Sequence, residues 1–132
     1  MYYLIVMVTL FLHIWADFYK QGWLAQSKCK NWWVEQENYT NLYKNDYWGI
    51  LVAHSIHWSF CIMLPSLIYG IVYAQNLTFF CFLSFIIFII NVIVHSIVDN
   101  QKANKNNTNL LQDQSIHLIQ IIVTVLALWG VI

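Results

Sequence analysis

Four long apolar runs dominate this sequence and leave few ways for it to fold. They cover about residues 2–19, 47–73, 77–99 and 110–132, and a bilayer crossing needs about 20 residues. Hydrophobic residues make up 60% of the 132 residues and charged residues only 9%, whereas soluble domains are about one quarter charged. We therefore predict a single all-α domain over residues 1–132: an integral membrane four-helix bundle with up-down antiparallel helices.

The links between the predicted spans differ in length and chemistry. Only about three residues, "AQN", separate the second and third spans, which indicates a tight antiparallel hairpin. The link between the first and second spans, residues 20–46, is long and aromatic-rich, a composition that suits the lipid headgroup zone. We expect one or two short interfacial helices in this link. Its aromatic residues include Trp23, Trp32, Trp33, Tyr39 and Tyr43.

Lysines predict the orientation of the bundle. All six basic residues lie in the first and third links, and none lies in the second link or at the termini. These two links share one side of a four-span protein, so the positive-inside rule makes that side cytoplasmic. We predict a bacterial inner (cytoplasmic) membrane protein with both termini extracytoplasmic and the lipid bilayer as its first partner. The zero net charge gives no electrostatic basis for nucleic acid binding.

Histidines and aspartates recur at helical spacing near the predicted cytoplasmic ends of the spans. The pattern H-x-x-x-D closes spans one and three at residues 13–17 and 95–99, and the reversed D-x-x-x-H opens span four at residues 113–117. His54 and His57 lie near the start of span two. Residues three or four apart share a helix face, so each pair can point into the bundle. Ionisable residues inside a membrane usually face the interior and mark a function.

Imidazole and carboxylate groups together suit a divalent transition metal: zinc, iron or manganese. Helical bundles build two-metal sites from inward-facing carboxylates and histidines. The sequence leaves open whether one or two ions bind, and whether the aspartates are ligands or orient the histidines. Taken singly, each pair could instead be a polar contact between helices. The candidate ligands are His13, Asp17, His54, His57, His95, Asp99, Asp113 and His117.

Three stretches carry a family resemblance: "HIWADFYKQ" at residues 13–21, "HSIVDNQK" at 95–102 and "DQSIH" at 113–117. With the histidine of span two, they resemble a family of small bacterial and phage membrane proteins catalogued as domain of unknown function 3307. The resemblance covers essentially the whole chain and implies the same polar constellation without naming a reaction. Lys20 stands where an apolar residue is more usual. The most specific matches are His13, Asp17, Phe18, Gln21, Asp113, Gln114 and His117.

The activity that this constellation favours is hydrolysis by a metal-activated water, with a free histidine or one of the candidate catalytic aspartates, Asp17, Asp99 or Asp113, as general base. The substrate would be amphipathic, such as a lipid, an isoprenoid phosphate or an ester, and Lys20 and Lys102 could neutralise a phosphate at the rim. Ion or proton transport is an alternative, although the extracytoplasmic halves of the spans read as almost purely apolar. A non-enzymatic phage or bacterial membrane effector with a structural metal is another. The oligomeric state stays open.

Overall fold

The computed structural model describes residues 2–35 and 43–132, and those residues form helices and connecting turns without a strand. Four helices are long and apolar enough to cross a membrane: Tyr2–Tyr19, Asp46–Tyr73, Leu77–Ala103 and Leu110–Trp129. The prediction of an all-α four-helix bundle is confirmed. Insertion into a membrane is inferred from the length and composition of these helices.

Helix α4 (Asp46–Tyr73) is the central helix of the bundle. It packs against α1 (Tyr2–Ile14), α5 (Leu77–Ala103) and α6 (Leu110–Trp129). Its inner face buries Trp58, Ile62 and Met63 almost completely. The outer faces of the bundle display many large apolar side chains, for example Phe11, Phe85, Ile89, Ile119 and Leu126. In water this surface would be a large exposed apolar patch, whereas in a bilayer it meets lipid.

A close backbone approach ties α4 to α5 at the hairpin end. The link is three residues long, and the Asn76 side chain accepts a hydrogen bond from the backbone N–H of Phe79, which caps the start of α5. Three residues before the end of α4, Gly70 faces the buried ring of Phe80, and a Cβ at Gly70 would overlap that ring. The absence of a side chain at Gly70 therefore permits this packing.

Two short helices occupy the described part of the first link: α2 (Trp23–Ser27) and α3 (Lys30–Val34). Both contact α4, and the Trp33 indole N–H donates to the Ser27 carbonyl at 2.7 Å. The prediction of one or two short helices is confirmed for this part. Tyr39 lies outside the described residues.

The first span ends in a π-helical turn, Trp15–Tyr19, closed by a hydrogen bond from the Lys20 N–H to the Trp15 carbonyl at 2.9 Å. Single π-helical turns occur frequently at functional sites. Here the wider turn buries Ala16 and Asp17 together in the bundle interior. The spacing of polar residues in the sequence did not predict it.

Candidate metal centre

Six acidic and imidazole side chains from four helical segments meet near one end of the bundle, and each is at most 6% exposed. The π-helical turn provides one, α4 one, α5 two and α6 two. We call these six residues the metal centre: Asp17, His54, His95, Asp99, Asp113 and His117. Their burial at this position agrees with the way ionisable groups are placed in membrane proteins, facing the interior rather than lipid.

One group of potential ligands joins three of these four segments: the π-helical turn, α4 and α5. The Nε2 atom of His54 lies 3.4 Å from Asp17 Oδ1 and 3.6 Å from Asp99 Oδ2. His95 Nε2 lies 3.7 Å from Asp99 Oδ1. One ligand atom from each of these four residues lies within 4.8 Å of all the others. This group can hold a metal ion.

A second group comprises Asp17, Asp113 and His117, whose ligand atoms also lie within 4.8 Å of one another. His117 Nε2 is 3.5 Å from Asp113 Oδ1 and 3.3 Å from Asp99 Oδ1. Asp17 belongs to both groups, and Asp99 touches histidines of both. Shared carboxylates of this kind are also found in the two-metal sites of helical bundles.

Several buried polar atoms of the metal centre lack a hydrogen-bond partner among the residues that the structure describes. They are both ring nitrogens of His54, both ring nitrogens of His95, and Asp113 Oδ1. Burying a polar group without a partner costs about 1–3 kcal/mol, so this concentration needs a physical reason. A bound cation is one, because a neutral imidazole nitrogen and a carboxylate oxygen are both electron-pair donors.

The distances also suit a cation. Zinc binds imidazole nitrogen and carboxylate oxygen at about 2.0–2.2 Å, so two ligands on a tetrahedral ion lie roughly 3.3–3.6 Å apart. The separations between His54 and its two carboxylates, 3.4 and 3.6 Å, match this range. An N–H···O hydrogen bond would be shorter, about 2.7–3.2 Å. The donor set therefore fits a divalent ion of the zinc type.

A stack of rings forms one wall of the metal centre. The Trp58 indole lies on the His95 ring with centroids 4.1 Å apart, and His95 lies on the His117 ring at the same separation. Trp58 is fully buried. Rings packed on both sides fix the orientation of His95, whose own nitrogens lack hydrogen-bond partners among the described residues.

His13 is buried near the metal centre but belongs to neither ligand group. Its Nδ1 accepts a hydrogen bond from the Trp58 indole N–H at 2.9 Å. A neutral imidazole has one donor and one acceptor nitrogen, so its Nε2 then carries the proton and has no free electron pair. In this arrangement His13 supports Trp58 rather than facing an ion.

His57 also lies apart from both ligand groups, although it is only three residues from His54. It is half-buried, with its ring 5.8 Å from the Trp15 ring and its Nε2 3.5 Å from Cys61 Sγ. Three residues correspond to about 300° around a helix, a difference of 60° in direction. That difference sends His57 toward the first span while His54 faces the centre.

The predicted rim lysines differ from each other. Lys102 Nζ lies 2.6 Å from Asp113 Oδ2, with its side chain about one-third exposed (32%). Lys20 is exposed, and its Nζ lies 5.3 Å from the centroid of the Trp15 ring. Of these two predicted lysines, Lys102 reaches the metal centre and Lys20 does not.

Lys28 enters the metal centre from the link between α2 and α3, although no sequence pattern singled it out. It is buried, and its Nζ lies 2.8 Å from Asp99 Oδ2. Asn104, which follows α5, holds the backbone of this link: its side chain donates to the Lys28 carbonyl and accepts from the Lys30 N–H. The link thus covers the metal centre and inserts a cation into it.

Side-chain amides orient several members of the centre. Gln114 Nε2 donates to Asp17 Oδ2 at 2.6 Å and to Asp113 Oδ2 at 3.1 Å. Gln21 Nε2 donates to Asp17 Oδ1 at 2.9 Å and also to the Asp17 carbonyl. Because these donors reach both carboxylates, the direction in which Asp17 and Asp113 present their oxygens is fixed.

Gln120 fixes the tautomer of His117. Its Nε2 donates to two oxygens of Asn91, each at 3.3 Å, which leaves its Oε1 facing His117 Nδ1 at 3.1 Å. A proton on Nδ1 satisfies this contact. Nε2 lies 3.3 Å from Asp99 Oδ1, so it donates to that carboxylate when it carries a proton and has a free electron pair for an ion when it does not. Metal-binding histidines commonly use their second nitrogen in this way.

Helical spacing from a predicted ligand could have identified two residues of the site that the sequence analysis did not select. Trp58 is four residues after His54 and so lies on the same face of α4, and Gln120 is three residues after His117. No spacing in the sequence points to Lys28, because its contact with Asp99 joins residues that are 71 positions apart. Comparisons with known protein families, curated proteins and solved structures found no match.

Proposed function

We propose that this chain is a multi-pass membrane protein that binds a divalent transition metal at its metal centre and hydrolyses an amphipathic substrate there. The observation that supports the metal most directly is that the buried Nε2 atoms of His54 and His95 lie 3.4–3.7 Å from carboxylates and have no hydrogen-bond partner among the described residues. We also propose membership of the domain of unknown function 3307 family, on the motifs described above. The proposed location is the bacterial inner membrane, with the metal centre toward the cytoplasm.

The residues of the metal centre have different roles in the proposed hydrolysis. Asp17, His54, His95 and Asp99 would hold the ion, with His117 adjoining them at Asp99 Oδ1, and the bound ion would supply the Lewis acidity that activates water for hydrolysis. Asp113 Oδ1 is buried without a partner and accepts the proton of the attacking water as general base. The remaining oxygen of Asp113 is already occupied by Lys102 and Gln114.

Metal analysis tests the first half of this proposal. Detergent-purified wild-type protein should contain at least one equivalent of zinc, iron or manganese, and His54→Ala and His95→Ala should lose most of it. His57→Ala is the matched control, since it removes a histidine of the same helix that faces away from the centre. Equal metal content in all four proteins would reject the metal centre.

Transport is the second candidate, and one observation favours it. Thr9, Ser59, Ser66 and Ser84 are buried inside the spans with unpartnered hydroxyls, so the bundle interior beyond the metal centre is more polar than the sequence predicted. Buried hydroxyls can carry protons or ions. Metal or proton flux into protein-containing liposomes, abolished by Ser66→Ala with metal content intact, would favour transport over hydrolysis. A retained metal with neither flux nor hydrolysis would favour the structural effector.

A further inference from the structure

Two lysine ammonium groups reach the metal centre from separate parts of the chain. Lys28 comes from the α2–α3 link and Lys102 from the end of α5. Each approaches the Oδ2 oxygen of one aspartate, at 2.8 Å in Asp99 and 2.6 Å in Asp113. The Oδ1 oxygens of the same two aspartates face His95 and His117. The two ammonium groups therefore share their carboxylates with imidazoles, and Asp99 Oδ2 itself also lies 3.6 Å from His54 Nε2.

The two lysines change the charge balance of the metal centre. Three carboxylates and two ammonium groups leave one negative charge, if the imidazoles are neutral. One divalent ion changes that charge to plus one, and two ions change it to plus three. Without the lysines the same ions would give minus one or plus one. Net positive charge in a buried site is costly unless an anion compensates it.

We propose that the metal-loaded centre binds a phosphate monoester group, contacted by Lys28 and Lys102 as well as by the ion. This inference rests on the proposed function and narrows its substrate class from esters in general to phosphate monoesters. A phosphate carries about −1.5 to −2 charges and three acceptor oxygens, so it compensates the excess charge and accepts from both ammonium groups.

The surroundings of the two lysines agree with this role. Lys102 is one-third exposed, so a ligand entering from that side meets it first. Lys28 is buried, and the Asn104 contacts hold its backbone in place whether or not its side chain stays on Asp99. When an ion takes the charge of Asp99, the Lys28 ammonium becomes available to a second anion, and the partly exposed Lys102 can contact the same anion beside Asp113. A neutral ester or amide offers them no matching charge.

Binding of inorganic phosphate tests the proposal without measuring activity. Wild-type protein in zwitterionic lipid nanodiscs, loaded with the metal it carries on purification, is titrated with radiolabelled inorganic phosphate in equilibrium dialysis. Binding is expected for the loaded protein, and we expect it to disappear when a chelator removes the metal. Metal content is measured on the same samples, so loss of the metal, which would reject the proposed function, is distinguished from loss of phosphate binding.

Matched variants then locate the binding. Lys28→Gln and Lys102→Gln should keep their metal and bind phosphate about tenfold or more weakly, because each loses a charged hydrogen bond. Lys30→Gln and Lys105→Gln change exposed lysines of the same two links and should bind like the wild type. Lys28→Arg should retain most of the affinity.

A competition experiment between phosphatidic acid and inorganic phosphate identifies the source of the phosphate group. Displacement of inorganic phosphate by phosphatidic acid in the nanodisc identifies a lipid headgroup, and its failure to compete identifies a free phosphate. Either result supports the proposal. Metal-loaded wild-type protein that binds no phosphate would overturn it, and this result needs no variant. Equal phosphate affinity of Lys28→Gln and Lys30→Gln would also overturn it.

Discussion

The indole N–H of Trp58 donates to His13 Nδ1 at 2.9 Å while the face of the same ring lies on His95. Trp58 therefore separates two histidines with different roles. His95 Nε2 lies 3.7 Å from Asp99 Oδ1 in the metal centre, whereas His13 Nδ1 is already occupied by the indole N–H. The sequence could not separate them, because His13 and His95 stand in the same H-x-x-x-D pattern.

His13→Ala should retain the metal, and His95→Ala should lose it. The reason is that His95 belongs to a ligand group and His13 to neither. We expect His13→Ala to lower stability by roughly 1–3 kcal/mol, since the buried Trp58 N–H loses its acceptor. Metal content and thermal unfolding in detergent are the measurements. Metal loss in both variants would place His13 among the ligands.

Asp99→Asn should strip the metal and destabilise the metal-free protein. Asp99 approaches His54, His95 and His117, and Lys28 pairs with it in a buried environment. Removing one partner of a buried ion pair costs about 3–5 kcal/mol. Asp46→Asn, on an exposed residue of the first turn of α4, is the control. An unchanged metal content in Asp99→Asn would exclude Asp99 as a ligand.

Gln120→Leu should weaken metal binding about 10–100-fold without abolishing it, as loss of a residue that orients a ligand does. Leucine cannot accept the proton of His117 Nδ1, so the tautomer with the electron pair on Nε2 is no longer enforced. Competition with a chelator measures the affinity. Ser115→Ala changes an exposed side chain of the same helix and should match the wild type. Identical affinities for Gln120→Leu and Ser115→Ala would contradict this account.

Gly70→Ala should destabilise the bundle by about 1–3 kcal/mol, the usual cost of overpacking a core. The added methyl group would overlap the ring of Phe80, which is almost completely buried. Gly49→Ala, in the same helix with open space around it, should be neutral or stabilising. Reversible unfolding in mixed micelles gives both values. A stable Gly70→Ala would mean that the α4–α5 contact adjusts freely.

The sequence predicted those parts of the site that depend on helical periodicity within single spans. The pairs His95 with Asp99 and Asp113 with His117 meet as their four-residue spacing indicates. The sequence did not show that His54 faces the metal centre while His57 faces away, because the direction of each side chain depends on how α4 packs against the first span. The π-helical turn that carries Asp17 depends on backbone hydrogen bonding that apolar periodicity does not show.

The hydrogen bonds between the Asn104 side chain and the backbone of Lys28 and Lys30 affect how fast a bound metal could exchange. Asn104 follows the helix that provides His95 and Asp99, so the covering link is fastened to the same helix that supplies two of the proposed ligands. Separating the link requires breaking these hydrogen bonds and the Lys28–Asp99 ion pair together. The metal should therefore exchange slowly with solution even where its equilibrium affinity is moderate, and the chain would acquire its ion most readily during synthesis, before this link closes.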